Sequence, residues 1–170
     1  MSFQQSLAMS LSEMGLLRHP ESVVLHAEKE FYAGRHSVAR EVIEDFLGRT
    51  PKKDQSYCKA YTLMGLIHDH LAKDSYGADS ITKRKFALSQ MIIAVDVATA
   101  PQNAPKYHSV VFDTSLSFWN VVRPYMCVGR AKHFTVEVCR MSAALEKCDD
   151  SDMAWRIMYL SASSFCCLDR

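Results

Sequence analysis

The chain has 170 residues, 20 of them basic and 19 acidic, with a formal net charge of +1 and 48% hydrophobic residues. This is a folded globular composition, able to bury roughly 70% of the unfolded surface without metal or disulfide staples, and its near-neutral charge excludes a strong electrostatic reader of nucleic acid or anionic membrane. Six glycines and five prolines, against about 20 in an average chain of this length, favour long helices over many short strands.

Residues 1–20 read as a separate N-terminal segment. Phe3, Leu7, Leu11, Met14 and Leu17 give it a loose helical pattern, and His19-Pro20 ends it, because the residue before proline is pushed out of the α region. Its start lacks the basic and apolar regions of a secretory signal. No apolar stretch in the chain approaches the roughly 20 residues of a membrane span.

A first helix is predicted over 21–33, with Val24, Ala27 and Phe31 on its apolar face and Gly34 at its C-terminus, where a left-handed residue is favoured. A second covers 37–47. Ser37 is its expected N-cap, Val38, Ala39, Val42, Ile43 and Phe46 its apolar positions, and Gly48 and Pro51 its stop. The third covers 55–72 and carries Gly65 in its interior. A mid-helix glycine costs about 0.5–1 kcal/mol relative to alanine, so close approach of another helix is expected there.

After a polar loop at 73–80, a fourth helix is predicted over 81–100 with Ser80 as cap. Its buried stripe is Phe86, Ala87, Met91, Ile92, Ala94, Val95 and Ala98. Lys83-Arg84-Lys85 reads as a solvated helix start facing Asp74 and Asp79. The fifth, over 105–122, is the most apolar and is expected to be covered on most sides, Leu116 included. Arg123-Pro124 closes it, with Arg123 expected in a local capping role ahead of binding a partner's carboxylate. A sixth helix covers 131–147. Asp149, Asp150 and Asp152 open the seventh, where carboxylates complement the helix dipole, and Trp155, Met158, Tyr159, Ala162, Phe165 and Cys166 follow at helical spacing.

Residues 21–170 therefore read as one all-α domain of about seven helices with no sheet, and the helices repeat. A tetratricopeptide unit is a helix–turn–helix of about 34 residues, with small residues at positions 8, 20 and 27 and a proline near 32. With Pro51 at position 32, Ala27 falls at 8, Gly34 at 15, Ala39 at 20 and Ile43 at 24, while Phe46 is too large for 27. In the next unit Gly65 falls at 8, Ala87 at 20 and Ala94 at 27. The 73–80 loop is expected to absorb about ten extra residues, which costs little. Ser115 and Ala162 hold position 8 of a third and a fourth unit. The expected architecture is a tetratricopeptide-like helical-hairpin solenoid ending in mid-repeat. The apolar run Phe165-Cys166-Cys167-Leu168 lacks the polar cap of a solenoid end, so a further hairpin is expected to follow.

No residue set points to catalysis, a cofactor or a metal. There is no phosphate loop, dinucleotide-binding glycine set or nucleophile elbow. His68 and His70 are two apart on a helix, about 200° around it, and cannot share one zinc ion. His26 and Glu30 stand four apart but supply only two ligands. The six cysteines include no C-x-x-C pair. They read as free thiols of a reducing compartment, and a thiol nucleophile would need a thiolate-stabilising neighbour.

One stretch is more distinctive. Tyr107, Ser115, Phe118-Trp119 and Val122-Arg123-Pro124-Tyr125, followed by Ala154-Trp155-Arg156, resemble the N-terminal region of the cilia- and flagella-associated protein 46 family, and the likeness extends over about residues 20–170. The resemblance implies a non-enzymatic structural scaffold of the ciliary central apparatus, residing in the cytoplasm and axoneme and contributing to motility. It implies other large central-apparatus scaffold proteins and a calmodulin-associated subunit as partners, and no cofactor. Such proteins are very long, so this chain reads as a fragment of one or a truncated product. Contact with the microtubule stays open, and a net charge of +1 gives no strong electrostatic tubulin binder. The alternative is a cytosolic helical-repeat adaptor that binds a peptide or partner helix.

Overall fold

The computed structural model of the chain describes residues 19–148 and 152–169. The expected pattern over residues 1–18, and the first two carboxylates of the acidic start at 149–152, lie outside the described residues. Among the described residues there are seven α-helices joined as hairpins, and no strand. The chain divides into two compact units, Met1–Lys52 and Lys53–Arg170.

The first unit is a hairpin of α1 (Pro20–Tyr32) and α2 (His36–Gly48). Pro20 stands in the first turn of α1, where its missing N–H is not needed. Gly34, at φ +80°, makes the turn between the helices. Arg35 closes that turn by donating from Nη2 to Glu30 at 2.8 Å, which holds the Glu30 carboxyl below its ordinary pKa. Val23, Val24 and Ala27 of α1 and Ala39, Val42, Ile43 and Phe46 of α2 are buried. Ser37 does not cap α2. The tight turn brings the backbone into the helix at His36, with Arg35 in the N-cap position and no side-chain cap bond.

The second unit begins with α3 (Gln55–Leu71) and α4 (Gly77–Ala98). Asp54 caps α3, its carboxylate accepting from the amides of Ser56 at 2.9 Å and Tyr57 at 3.2 Å. The loop to α4 is shorter than the sequence suggests. The extra residues lengthen α4 at its start instead: it begins at Gly77 and has 22 residues. Ser80 is therefore inside α4, buried, and no cap. Phe86 is not in the buried stripe either. It is 51% exposed and meets the His68 ring edge-on at 4.7 Å between centroids.

Next come α5 (His108–Val122), a 3-10 turn at Arg123–Tyr125, a second at Ala131–Phe134, α6 (Thr135–Glu146) and α7 (Met153–Leu168). The predicted fifth helix starts three residues late. The first turn of the predicted sixth is 3-10 rather than α. Leu116 is 39% exposed, so α5 is buried over one broad face and not on most sides. Asp152 caps α7, accepting from the Ala154 amide at 2.8 Å. The core of the unit gathers Leu88, Met91, Ile92 and Val95 of α4, Val111, Phe118 and Val122 of α5, Phe134, Val138, Met141 and Leu145, and Tyr159 and Cys166 of α7. Helix α4 packs on α3, α5 and α6, α3 also touches α5, and α6 packs on α7. Met153, Ile157, Leu160 and Leu168 share one face of α7 and are more than half exposed.

Candidate functional site

Three places in the second unit hold the sequence-singled residues in specific geometry. The first is the crossing of α3 and α4. A Cβ added at Gly65 would lie 2.6 Å from Met91 Cγ and 2.8 Å from the Ala87 carbonyl oxygen. The two helices thus touch at backbone distance, and no residue larger than glycine fits. Ala87 and Ala94 are wholly buried on the same helix.

The second is the middle of α5, where two small hydroxyl residues interrupt an apolar helix. Thr114 and Ser115 are buried. Each reaches a different neighbouring helix. Thr114 Oγ1 bonds Thr62 Oγ1 of α3 at 2.9 Å. Ser115 Oγ accepts from the Trp155 indole Nε1 of α7 at 2.7 Å and donates to the Phe112 carbonyl at 2.7 Å. Its own carbonyl accepts from the Tyr159 hydroxyl at 2.7 Å. Burial pushes that hydroxyl's pKa up and keeps it a donor. Around these bonds the rings interlock edge to face. Trp119 meets Trp155 at 6.5 Å and Tyr159 at 5.7 Å, and Trp155 meets Tyr159 at 5.7 Å. Such pairs contribute about 0.5–1.5 kcal/mol each beyond area burial. Ser115, Trp119 and Trp155, 40 residues apart at the extremes, thus form one lock between α5 and α7. Tyr159 completes it. Tyr159 follows at helical spacing in the predicted seventh helix, but nothing in that spacing signals the bond to Ser115.

The third is the Arg123–Tyr125 turn. Arg123 and Pro124 are exposed, and the Arg123 side chain makes no hydrogen bond or ion pair with the described residues. The predicted capping role is not filled by its guanidinium. Tyr125 carries the contact instead. Its hydroxyl bonds Ser80 Oγ at 3.1 Å, and its ring lies under the Arg84 guanidinium at 5.2 Å. Arg84 also donates to Ser80 Oγ at 2.6 Å and to the Ala72 carbonyl at 3.3 Å, and pairs with Asp69 at 3.2 Å. The middle of the Lys83-Arg84-Lys85 run is thus an inward-held cation with a side chain only 14% exposed, not part of a solvated face. Lys83 and Lys85 are the solvated members, with Lys83 paired to Asp79 at 2.8 Å and Lys85 to Glu137 at 3.8 Å. Burial raises the Asp69 pKa despite Arg84 beside it.

The remaining singled residues sit apart from these places. Ala27 and Ala39 are wholly buried in the first unit, and Gly34 makes its turn with open space around it. Tyr107 is buried just before α5, with Lys106 Nζ 5.5 Å from its ring centre. Among the described residues no three His, Cys, Asp or Glu side chains converge as a metal site, and no helix is long and apolar enough to cross a membrane. Burial pushes the thiol pKa of Cys58 up to about 12 and that of Cys166 up to about 11. That is opposite to the shift a thiolate nucleophile needs.

No family model matches the chain. Over 156 residues, 86% of its length, it is 26% identical to Cilia- and flagella-associated protein 46 of Chlamydomonas reinhardtii, and it spans 6% of that protein's length.

Proposed function

We propose that the chain is a non-enzymatic scaffold segment of motile cilia or flagella. In this reading it lies in the central apparatus, assembles with other large scaffold proteins and a calmodulin-associated subunit, and contributes to motility. The observation that carries it is the similarity to Cilia- and flagella-associated protein 46 along 86% of the chain. The structure supports a packing role for the groups that could have carried chemistry. The hydroxyls of Thr114, Ser115 and Tyr159 and both tryptophans join helices to one another. A tetratricopeptide-like register is supported by the burial of Ala27 and Ser115, and by the backbone contact at Gly65.

Tagging the gene product at its own locus in a ciliated cell of its source tests this. Signal along the axoneme, with a beat defect on disruption, is expected. A diffuse cytosolic signal with unaltered cilia would contradict it and would favour the cytosolic adaptor.

A further inference from the structure

Between the start of α4 and the Arg123–Tyr125 turn lies an open cleft of about 370 Å³, lined by residues that include Lys73, Tyr76, Ile81, Arg84, Tyr125 and Arg130. This is within the size range of ligand clefts. We infer that it is a docking site for an acidic peptide segment of a partner protein, whose carboxylates meet Lys73, Arg84 and Arg130.

The floor is preorganised. Arg84 is fixed from several sides by Asp69, Ser80, the Ala72 carbonyl and the Tyr125 ring, so a ligand need not order it, which favours affinity. Tyr125 is itself anchored by Ser80 and by the Phe134 ring at 5.1 Å. The rim is different. Lys73 and Arg130 are exposed and have no carboxylate of a described residue within ion-pair distance. Asp69 offsets Arg84, and Lys83 offsets Asp79. Lys73 also lies near Asp69, and the Asp169 carboxylate sits on the amides either side of Arg130, but the cleft lining itself holds three cations and no carboxylate. The guanidinium fork at Arg130 suits a carboxylate.

The lining also selects among anions. Tyr76 and Ile81 present apolar surface beside the cations, which the aliphatic and backbone parts of a peptide would cover and a bare inorganic anion would not. A polynucleotide would need a longer basic stripe than two rim cations. The inference rests on the cleft alone and holds wherever in the cell the chain resides.

The test is fluorescence anisotropy of a dye-labelled acetyl-Glu-Glu-Tyr-Glu-Glu-amide titrated with the 170-residue chain. Its twin with Gln for every Glu, inorganic phosphate and hexauridylate serve as competitors. The Glu peptide is expected to bind, the Gln twin not to compete, and added salt to weaken the complex. Lys73→Gln and Arg130→Gln are each expected to weaken it about two- to fivefold, and the double variant about tenfold. Three results would overturn the inference: no binding of the Glu peptide at millimolar chain, equal binding by the Gln twin, or binding unaffected by the double variant. Displacement by phosphate or hexauridylate at lower concentration than by unlabelled Glu peptide would assign the cleft to another anion and overturn it as well. The salt and Glu-to-Gln arms need no variant, so they decide even if a substitution perturbs the fold.

Discussion

The indole Nε1 of Trp155 donates to the hydroxyl of Ser115 over 2.7 Å, joining two helices 40 residues apart in sequence. Ser115→Ala leaves that half-buried N–H without its partner and is expected to cost about 1 kcal/mol. Trp155→Phe, which removes the donor and also shrinks the ring that meets Trp119 and Tyr159, should cost about 2 kcal/mol. Urea unfolding of the two single variants and the double variant gives the coupling, expected at about 0.5 kcal/mol or more. Additive losses would mean that the bond does not join the helices. Trp119 and Trp155 are the chain's two tryptophans, so intrinsic fluorescence reports on this interface directly.

Gly65→Ala sets two effects against each other. Alanine gains about 1 kcal/mol of helix propensity over glycine. Its Cβ meets Met91 Cγ at 2.6 Å and the Ala87 carbonyl oxygen at 2.8 Å, and overpacking of this kind costs about 1–3 kcal/mol. The clash should win, because one of the two atoms is backbone and cannot rotate away. Adding Met91→Ala relieves only the side-chain half, so thermal denaturation of the pair should show no recovery. A stabilised Gly65→Ala chain would disprove the close crossing of α3 and α4.

Much of the helical frame was legible because its causes are local. Apolar periodicity and Asp152 before α7 act within a few residues of sequence, whereas Gly65 is legible as a local cost that only a neighbouring helix explains. Helix starts failed where a tertiary bond outcompeted a local one. Ser80 looks like a cap, yet its hydroxyl is held by Tyr125 and Arg84, and the helix extends three residues further toward the N-terminus. Arg84 looked solvated because its neighbours Lys83 and Lys85 are charged too, and nothing local shows that its own turn faces Tyr125. Ser115, Trp119 and Trp155 are each distinctive in the sequence on their own. That they meet is a consequence of stacking, which the sequence pattern does not encode.

The thiols should sort by exposure. Cys127 and Cys167 are exposed, Cys139 is half-buried, and Cys58, Cys148 and Cys166 are buried. Burial further raises the pKa of Cys58 to about 12, which removes the reactive thiolate at neutral pH. Brief alkylation of the native chain followed by peptide mass mapping should find Cys127 and Cys167 labelled first. Cys58, Cys148 and Cys166 should label only after unfolding. Cys58 reacting as fast as Cys127 would contradict the packing of α3.

Asp169 provides a pH test. Its carboxylate accepts from the amides of Gly129 at 2.6 Å and Lys132 at 3.1 Å, and these backbone bonds hold its pKa below the ordinary value. A lowered folded pKa means the bonds contribute fully above the unfolded value and are lost as pH falls through the folded one. The Gly129 and Lys132 amide resonances should therefore titrate with a midpoint below that of an ordinary aspartate, and the Asp169→Asn chain should show no such step. A midpoint at or above the ordinary value would mean that the end of α7 is not anchored on the Gly129 turn.

In the proposed function the chain is built into an axoneme. Cross-linking mass spectrometry of demembranated axonemes from its source tests it most directly. Peptides of the chain are expected to stay with the axoneme after detergent and to cross-link to central-apparatus scaffold proteins. Complete release of the chain into the detergent-soluble cytosolic fraction, with no axonemal cross-link, would contradict it.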